Sequence, residues 1–570
     1  MNYTQSETDV LILGSGGAGL FAALHAKQVN PDLKVTVVTK GLLGKCGCTR
    51  MVQGGYNVAL ATDDSVERHF MDTIEGGKWL PHQKMAWKLC QTAVTRVREL
   101  ENELGCFFDR NPDGSLHQKA FAGQTFDRTV HKGDLTGIEI INRLMEKVLA
   151  LEVEKFEEHR ALSFIAAKSG DAIAAVLTVD IRSGEFHLIR PRAILLATGG
   201  GPTMYRYHTP SGDKSMDGLA MALRAGLPLR DMEMVQFHPT GLLAGVDTRM
   251  TGTVLEEGLR GAGGYLLNGD GHRFMFDYDA GGERATRDIV SRAIYDEMRK
   301  GHTTENGGVY IEMKHLGAKN VAEKFKGMVK RCADCGFDLA GGRVEVVPTA
   351  HYFMGGVVCD ENTHTEIPGL FVAGEDSGGA HGANRLGGNG VANSTVYGGV
   401  AGEEIARFVT SDGVLHDPDT GQVDAEIAAA LQPFALPVGN VNAVRDSLLD
   451  IMWDKIGVIR TGESVDQGAE SLHDIKRQLL TTGVADTSRA FNLSWHDWLN
   501  LKNLIEISEV IAAAAQSREN SRGAHYREDF PDTGDLQSSY FTEVRQLDGA
   551  LEIARMPVTF DIVKPGESLL

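Results

Sequence analysis

The chain has 570 residues, with 57 lysines and arginines against 77 aspartates and glutamates, and a formal net charge of −20. That acidity argues against a nucleic-acid binder, which gathers Lys and Arg on one face, while a few local arginines can still make one cleft attractive to a small anion. The length exceeds what a single core fills, so two to four domains are expected; the 67 glycines, roughly 12% against a usual ~7%, sit in short loops and suggest nucleotide-binding turns.

Seven cysteines are too sparse for a disulfide framework. The start MNYTQSETDV shows no basic stretch followed by an apolar one, so a reducing cytoplasm is the expected compartment. No apolar run approaches the ~18 residues of a membrane span, and any membrane contact is expected through a partner.

In chain order, Asp9-Val10-Leu11-Ile12-Leu13 is a short apolar strand, followed by Gly14-Ser15-Gly16-Gly17-Ala18-Gly19 and a helical pattern from Leu20. Strand, G-x-G-x-x-G and helix together point to a phosphate-binding turn. Gly14 turns tightly, Gly16 admits a pyrophosphate and Gly19 lets helix and strand pack. The second strand, Val35-Thr36-Val37-Val38-Thr39, ends in Thr39-Lys40 instead of an acid for a ribose. NAD is therefore a poorer match than a differently held dinucleotide.

Ala193-Ile194-Leu195-Leu196-Ala197-Thr198-Gly199 and Gly369-Leu370-Phe371-Val372-Ala373-Gly374-Glu375 are two further buried strands ending in small residues. Their form predicts one nucleotide-binding sheet interrupted by a long insertion of mixed α+β character over 233–348. Beyond Gly402 the pattern becomes amphipathic helix, and the end of the chain carries the β-branched run Val558-Thr559-Phe560-Asp561-Ile562-Val563.

Arg385 stands in Gly382-Ala383-Asn384-Arg385-Leu386-Gly387-Gly388-Asn389-Gly390. An arginine among so much glycine can grip a planar carboxylate bidentately while bare backbone N–H groups approach a large cofactor; the alternative is a Gly-rich turn with an incidental Arg. His238, in Gln236-Phe237-His238-Pro239-Thr240, and His351, in His351-Tyr352-Phe353-Met354, lie at the two ends of the insertion. Taken singly, each reads as a satisfied histidine at a bend. As a pair at two hinges they can both face one cleft and donate to a carboxylate. Glu256-Glu257-Gly258-Leu259-Arg260 and Thr286-Arg287-Asp288 place acids and arginines together, by default as surface ion pairs.

Across nearly its whole length the chain resembles the succinate dehydrogenase and fumarate reductase flavoprotein subunit family, which also includes L-aspartate oxidase. The resemblance rests on the glycine turn 14–19, Gln53-Gly54-Gly55, Phe121-Ala122-Gly123-Gln124, Gln236-Phe237-His238-Pro239-Thr240-Gly241, Arg260-Gly261-Ala262-Gly263-Gly264, His351-Tyr352-Phe353-Met354-Gly355-Gly356, His381-Gly382-Ala383-Asn384-Arg385 and Ser521-Arg522-Gly523-Ala524-His525-Tyr526. It implies an α/β fold with a Rossmann-like FAD-binding domain over 1–232 and 349–410, an α+β capping domain over 233–348, a helical domain over 411–535 and a short β-rich tail over 536–570.

By the same resemblance, FAD contacts Gly14, Ser15, Gly16, Gly17, Ala18, Gly19, Thr39, Lys40, Cys48, Thr49, Gln53, Gly54, Gly55, Asp217, Glu375, Asn389, Gly390 and Val391. His238, His351 and Arg385 bind substrate carboxylates, with Phe121 and Gln124 lining the pocket; Glu256, which stands where the family commonly has Thr, is expected at the substrate as well. Arg287 moves the proton, reloaded through Glu257 and Arg260, while a hydride passes between substrate carbon and flavin N5. No metal site is implied.

Three departures stand out. Respiratory members carry a flavin-linking histidine five residues before the Gln-Gly-Gly motif, where this chain has Cys48. Non-covalent FAD is expected, with a cysteinyl thioether as the alternative. Glu256 replaces the usual Thr before the Glu-Gly and would repel a second carboxylate unless protonated, turned away or paired with a cation; it would suit a substrate amine, as in an L-aspartate oxidase. Asn389-Gly390-Val391 replaces Asn-Ser-Leu, so one flavin contact falls to backbone. Cys332-Ala333-Asp334-Cys335 is a single C-x-x-C and reads as free thiols, so any iron-sulfur cluster is expected on a partner subunit, which the 521–531 segment favours. The expected activity is interconversion of succinate and fumarate or a close analogue; an amino-acid oxidase, and a flavin-carrying electron-transfer subunit without its own substrate, are the alternatives.

Overall fold

In the computed structural model, which describes residues 2–245, 248 and 250–570, the Val10–Leu13 run forms the inner half of a strand, Thr4–Leu13, at the centre of a seven-stranded sheet. Val35–Thr39 and Phe186–Leu196 flank it in parallel, Val153–Glu157 pairs outside Val35–Thr39, and Ile173–Asp180 and His159–Ala166 continue the other side antiparallel. Leu370–Val372, far downstream in the chain, adds in parallel to Phe186–Leu196 with Leu370 opposite Ile194. The two small-residue strand ends therefore lie side by side, and the intervening chain leaves the sheet and returns to it.

The Gly17–Val29 helix packs against the long Asn389–Ser411 helix. Small residues set their spacing: a Cβ on Gly398 would sit 2.5 Å from Ala18 O and one on Gly402 would sit 2.4 Å from Ala22 O. The first helix of the nucleotide fold is thereby locked to the helix that follows the Arg385 loop.

Within 233–348 the chain builds a second core around Leu242, Leu266, Val290, Ile294, Ile311 and Val344. Its antiparallel sheet runs Val235–Leu242, Arg343–Phe353, Val309–Glu312, Tyr265–Leu267. The outgoing and returning strands pair with each other, Val235 opposite Phe353 and His238 opposite Thr349, with register shifts at Gln236/Phe237 and His238/Gly241. Pro239 has no N–H for the ladder, so the strand is irregular around His238, and irregularities of this kind re-aim side chains.

Beyond it, helices Thr420–Leu431, Val441–Lys455, Gly462–Leu479 and Leu493–Ser517 pack around Trp495 and Trp498, whose indole N–H groups donate to Ala430 O (2.7 Å) and Thr482 O (2.9 Å). The tail forms a hairpin, Tyr540–Leu547 with Ala550–Pro557, attached to Leu229–Arg230. The β-branched run 558–563 lies just past the last strand and uses Val558 and Val563 as buried plugs instead. Among the described residues no helix is long and apolar enough to cross a membrane, and Cys332 and Cys335 are free thiols.

Three helices, Gly17–Val29, Gln83–Asn102 and Asn389–Ser411, share a charge cluster. His25 Nε2 lies 2.9 Å from Glu99 Oε1 and Nδ1 lies 3.2 Å from Glu403 Oε1. Arg96 donates to both carboxylates at 3.1 and 2.6 Å. Burial works against a charge on His25, but Glu403 and Glu99 override it and hold its pKa above the ordinary value; His25 in turn keeps Glu403 down at about 2. A raised histidine pKa gives stability that is complete below the unfolded value of ~6.5 and is lost as pH climbs through the folded value. As pH rises above ~6.5 the melting temperature should fall more steeply in the wild type than in His25→Gln; parallel melting curves would show that His25 is not charged in the fold.

Candidate active site

The strand ends of the sheet open into one continuous cleft. Gly14 to Ala18, Thr39, Lys40, Thr198, Asp217 and Glu375 line one end, and Phe121, His238, Glu256, Glu257, Arg287, His351, Tyr352 and Arg385 line the other. Gly14 has φ +114° and a Cβ there would lie 2.0 Å from Ala197 O, so the chain must be bare at this turn. Gly16, at the N-cap, offers no side-chain cap, leaving the first N–H groups of the helix to face the cleft, apart from Gly17 N–H, which donates to Thr49 Oγ1 at 3.0 Å. Such a helix end suits an anion such as a pyrophosphate.

No acid ends the second strand, yet one reaches that place from another helix. Lys40 Nζ donates to Asp217 Oδ2 (2.8 Å), Ser215 Oγ (2.8 Å) and Asn500 Oδ1 (3.2 Å), and Asn503 donates to Asp217 Oδ1 at 2.7 Å. Burial, then neighbouring Arg160, pull the Lys40 pKa down to about 8, while Lys40 and Arg160 outweigh burial at Asp217 and hold its carboxyl far below the usual range. Ser15 Oγ donates to Thr39 Oγ1 at 2.9 Å. Gln53, Gly54 and Gly55 also line the cleft, and the Gln53 carboxamide lies beside Arg331. Gly374 and Glu375 form a short turn in which Glu375 Oε1 accepts from Phe353 N–H at 3.0 Å; burial raises its pKa to about 7.

At the other end, two arginines share one acceptor. Arg287 Nη1 and Arg385 Nη2 both donate to Gln236 Oε1, at 3.1 and 3.0 Å. Gln236 Nε2 donates to Asn384 Oδ1 (3.1 Å) and Arg385 O (2.8 Å), so all its valences are committed. Arg287 also donates twice to Glu257 Oε2, at 3.0 and 2.6 Å, and Arg260 Nη2 lies 3.7 Å from Glu257 Oε1. Glu257 is buried, but Arg287 and Arg260 more than offset that burial and keep its pKa below the ordinary value. Arg385 stacks 4.4 Å from the Tyr352 ring centroid, and Gly390 leaves it room, since a Cβ there would lie 2.9 Å from Arg385 Nη1. Burial and then Arg287 lower the Arg385 pKa to about 10, which leaves it charged at neutral pH. Its buried Nε has no partner in the protein.

His238 and His351 meet at 5.5 Å between ring centroids. Burial, followed by Arg287, drives both pKa values well below the ordinary value, so both rings are neutral. The Thr240 N–H donates to His238 Nδ1 at 3.3 Å, which puts the ring proton on Nε2 as a donor. His351 Nδ1 pairs with Thr209 Oγ1 at 2.9 Å.

Several expectations change here. Glu256 does reach the cleft wall, but it is paired with a cation: Lys119 Nζ lies 3.0 Å from its Oε1. Gln124 lies outside the wall, donating to Gly387 O at 3.0 Å behind the Arg385 loop. Asn389 is also outside, its amide taken by Asn57 (2.8 Å), His69 (3.0 Å) and Thr73 (3.1 Å), while Gly388, Gly390 and Val391 line the cleft. Arg260 sits behind Glu257, and Gly19 serves packing, with a Cβ position 2.0 Å from Gly14 O. Gln236, Tyr352, Thr209 and Lys119 complete the site without having been anticipated. The first two stood inside quoted motifs; nothing local in sequence marks Lys119.

Residues 9–391 match an FAD binding domain family, and residues 445–569 match the C-terminal family of fumarate reductase flavoproteins. A fumarate reductase (CoM/CoB) subunit from Methanothermobacter marburgensis is 40% identical over 536 residues, 92% of this chain and 95% of its own. The chain belongs to the succinate dehydrogenase and fumarate reductase flavoprotein family. The fumarate reductase flavoprotein subunit of Escherichia coli is 34% identical over 543 residues, 92% of this chain and 88% of its own. Among solved structures, FrdA of E. coli quinol fumarate reductase superposes with a TM-score of 0.92 at 32% identity, covering 99% of each chain. Sdh1 of Mycobacterium smegmatis in complex with UQ1 gives 0.88 at 34% identity, covering 98% and 96%. Adenylylsulfate reductase of Archaeoglobus fulgidus, at 17% identity and a TM-score of 0.77, shares the fold.

Membership makes this chain an FAD-dependent oxidoreductase, and the cleft fits the cofactor: a bare turn and helix N–H groups suited to phosphates, a buried acid–lysine pair beyond the second strand, and the Arg385 loop along the wall. Cys48 lines the same cleft, but burial, with Glu375 adding to it, pushes its thiol up to about 12. A thiol so protonated is a poor nucleophile. Acid precipitation of the yellow protein should leave the pellet colourless and the flavin in the supernatant; yellow colour retained by the pellet would establish a covalent bond.

Proposed function

We propose that the chain interconverts a small dicarboxylate and its α,β-unsaturated form, succinate and fumarate or a near analogue. The observation that carries this reading is the charge of the substrate end. Arg260, Arg287, Arg385 and Lys119 stand against Glu256 and Glu257 with both histidines neutral, four positive charges less two negative, which leaves +2. That excess matches a dianion.

In this reading Arg385, with its unpaired Nε, anchors one carboxylate, and His238 Nε2–H and His351 receive the other. Bound this way, the two ends of the substrate are polarised and the reacting carbons are held in place, a contribution of orientation and electrostatics together. FAD, when bound, supplies the hydride acceptor or donor. Arg287 gives a proton to the substrate carbon in reduction and takes one in oxidation. Guanidinium protons are normally held with a pKa above ~12, so a partner must accept and return the charge; Glu257 Oε2 at 2.6 Å from Arg287 Nη2 is that partner, with Arg260 behind it. Gly14 to Ala18 and Thr49 would hold the cofactor's phosphates, Lys40 and Asp217 its ribose end, and Glu375 with the 388–391 backbone the rest. The curated relatives are named as subunits, which supports a partner; an iron-sulfur protein would suit the electron transfer.

An amine-bearing substrate drew support from Glu256, and Lys119 now accounts for that carboxylate. Anaerobic mixing with succinate should therefore bleach the flavin, and fumarate should restore the colour of the chemically reduced protein. Bleaching by aspartate with succinate inert would overturn the reading. Arg287→Ala should keep bound FAD and lose turnover by about 10²- to 10⁴-fold, the range for removing a positioned proton donor; a rate within a few-fold of wild type would strip Arg287 of that role.

A further inference from the structure

Lys119 stands on a short ribbon, Gln118–Lys119 paired with Thr129–Val130, that leads to Phe121 at the cleft, its Nζ 5.6 Å from the Phe121 ring centroid. Phe121 and Glu256 line the cleft, and Lys119 stands behind the wall. Its ammonium lies 3.0 Å from Glu256 Oε1, with side chains 19% and 11% exposed, and among the described residues Lys119 is the one cation within ion-pair distance of Glu256. The two residues come from different parts of the fold, Lys119 from the cofactor domain and Glu256 from the inserted module.

We propose that Lys119 is a specificity-determining residue, which neutralises Glu256 from behind the wall so that the cleft accepts a dianion and rejects an ammonium-bearing analogue. The inference rests on the dicarboxylate reading above. With Lys119 in place, Glu256 faces the cleft as half of a neutral pair, and the excess of +2 is available to two carboxylates. Without it, a bare carboxylate faces the substrate and the excess falls to +1. A dianion is then held less tightly, while an α-amino dicarboxylate gains an ion pair from the same oxygen atoms. Lys119 reaches neither the reacting carbons nor Arg287, so its effect falls on binding.

The test compares Lys119→Met, Lys119→Arg and the double variant Lys119→Met/Glu256→Gln as holoproteins, with fumarate turnover and with flavin absorbance titrations using succinate and aspartate. At an effective dielectric of ~20 and a few ångströms' separation, an unpaired like charge should raise KM for fumarate in Lys119→Met about 10- to 100-fold, with kcat within about threefold of wild type. The ratio of succinate to aspartate affinity should fall in the same variant, and Lys119→Arg and the double variant should both recover the wild-type ratio. A general loss of structure would weaken both ligands alike and would not be rescued by adding Glu256→Gln. An unchanged succinate-to-aspartate ratio in Lys119→Met, or no recovery in the double variant, would overturn the assignment. If instead the wild type fails to turn over fumarate, the dicarboxylate reading falls first.

Discussion

Two guanidiniums held side by side by one carboxamide oxygen are the constraint on which the rest of the structure depends. Gln236 Oε1 accepts from Arg287 and Arg385, and Glu257 supplies the opposing charge. Like charges this close in a buried site are costly unless each is hydrogen-bonded and a counter-charge is near. A glutamine is suited to the middle position because it can satisfy both arginines without cancelling either. The residues come from three places: Gln236 from the outgoing strand of the inserted module, Arg287 from the start of its Arg287–Arg299 helix, and Arg385 from the loop of the cofactor domain. Module and cofactor domain must therefore meet in one geometry for the site to exist. The pairing of strands Val235–Leu242 and Arg343–Phe353 provides it, and carries His238 and His351 to the same cleft.

The cofactor end obeys a different rule. There the surface is mostly backbone, bare at Gly14, Gly388 and Gly390, so a flat, extended molecule can approach closely. The fixed charges of this end include the buried pair of Lys40 with Asp217, which Asn500 and Asn503 of the Leu493–Ser517 helix brace from the helical domain, and Asp213, Lys214 and Glu375 along the same wall. The linked arginines at one end and the bare glycine turn at the other give one cleft two different surfaces.

How much of this was legible in sequence follows the distance over which each feature is encoded. The strand, glycine turn and helix at 9–26 are local, and so are the interruption of the sheet and the helical region beyond Gly402; each appears where composition and periodicity placed it. Motif residues were harder. Gln124 and Asn389 belong to recognisable strings, yet Gln124 Nε2 donates to Gly387 O and the Asn389 amide is tied to Asn57, so both brace the chain around the Arg385 loop instead of lining the cleft. The acid missing after Thr39 is supplied by Asp217, 177 positions from Lys40, and Glu256 finds its cation 137 positions away in Lys119. Pairings of that span depend on the folded topology, and no spacing rule reveals them. The tail shows the same limit: its β-branched run fills gaps between other elements, and the hairpin forms from more polar sequence upstream.

The central claim is that the cleft carries a charge excess of two built for a dianion. The most direct measurement is the affinity of the FAD-loaded protein for malonate and for propionate, two unreactive acids of equal carbon count, followed by flavin absorbance at low and high ionic strength. Malonate should bind at least about tenfold more tightly, with the advantage shrinking as salt screens it; equal affinity of the two acids, insensitive to salt, would contradict the claim.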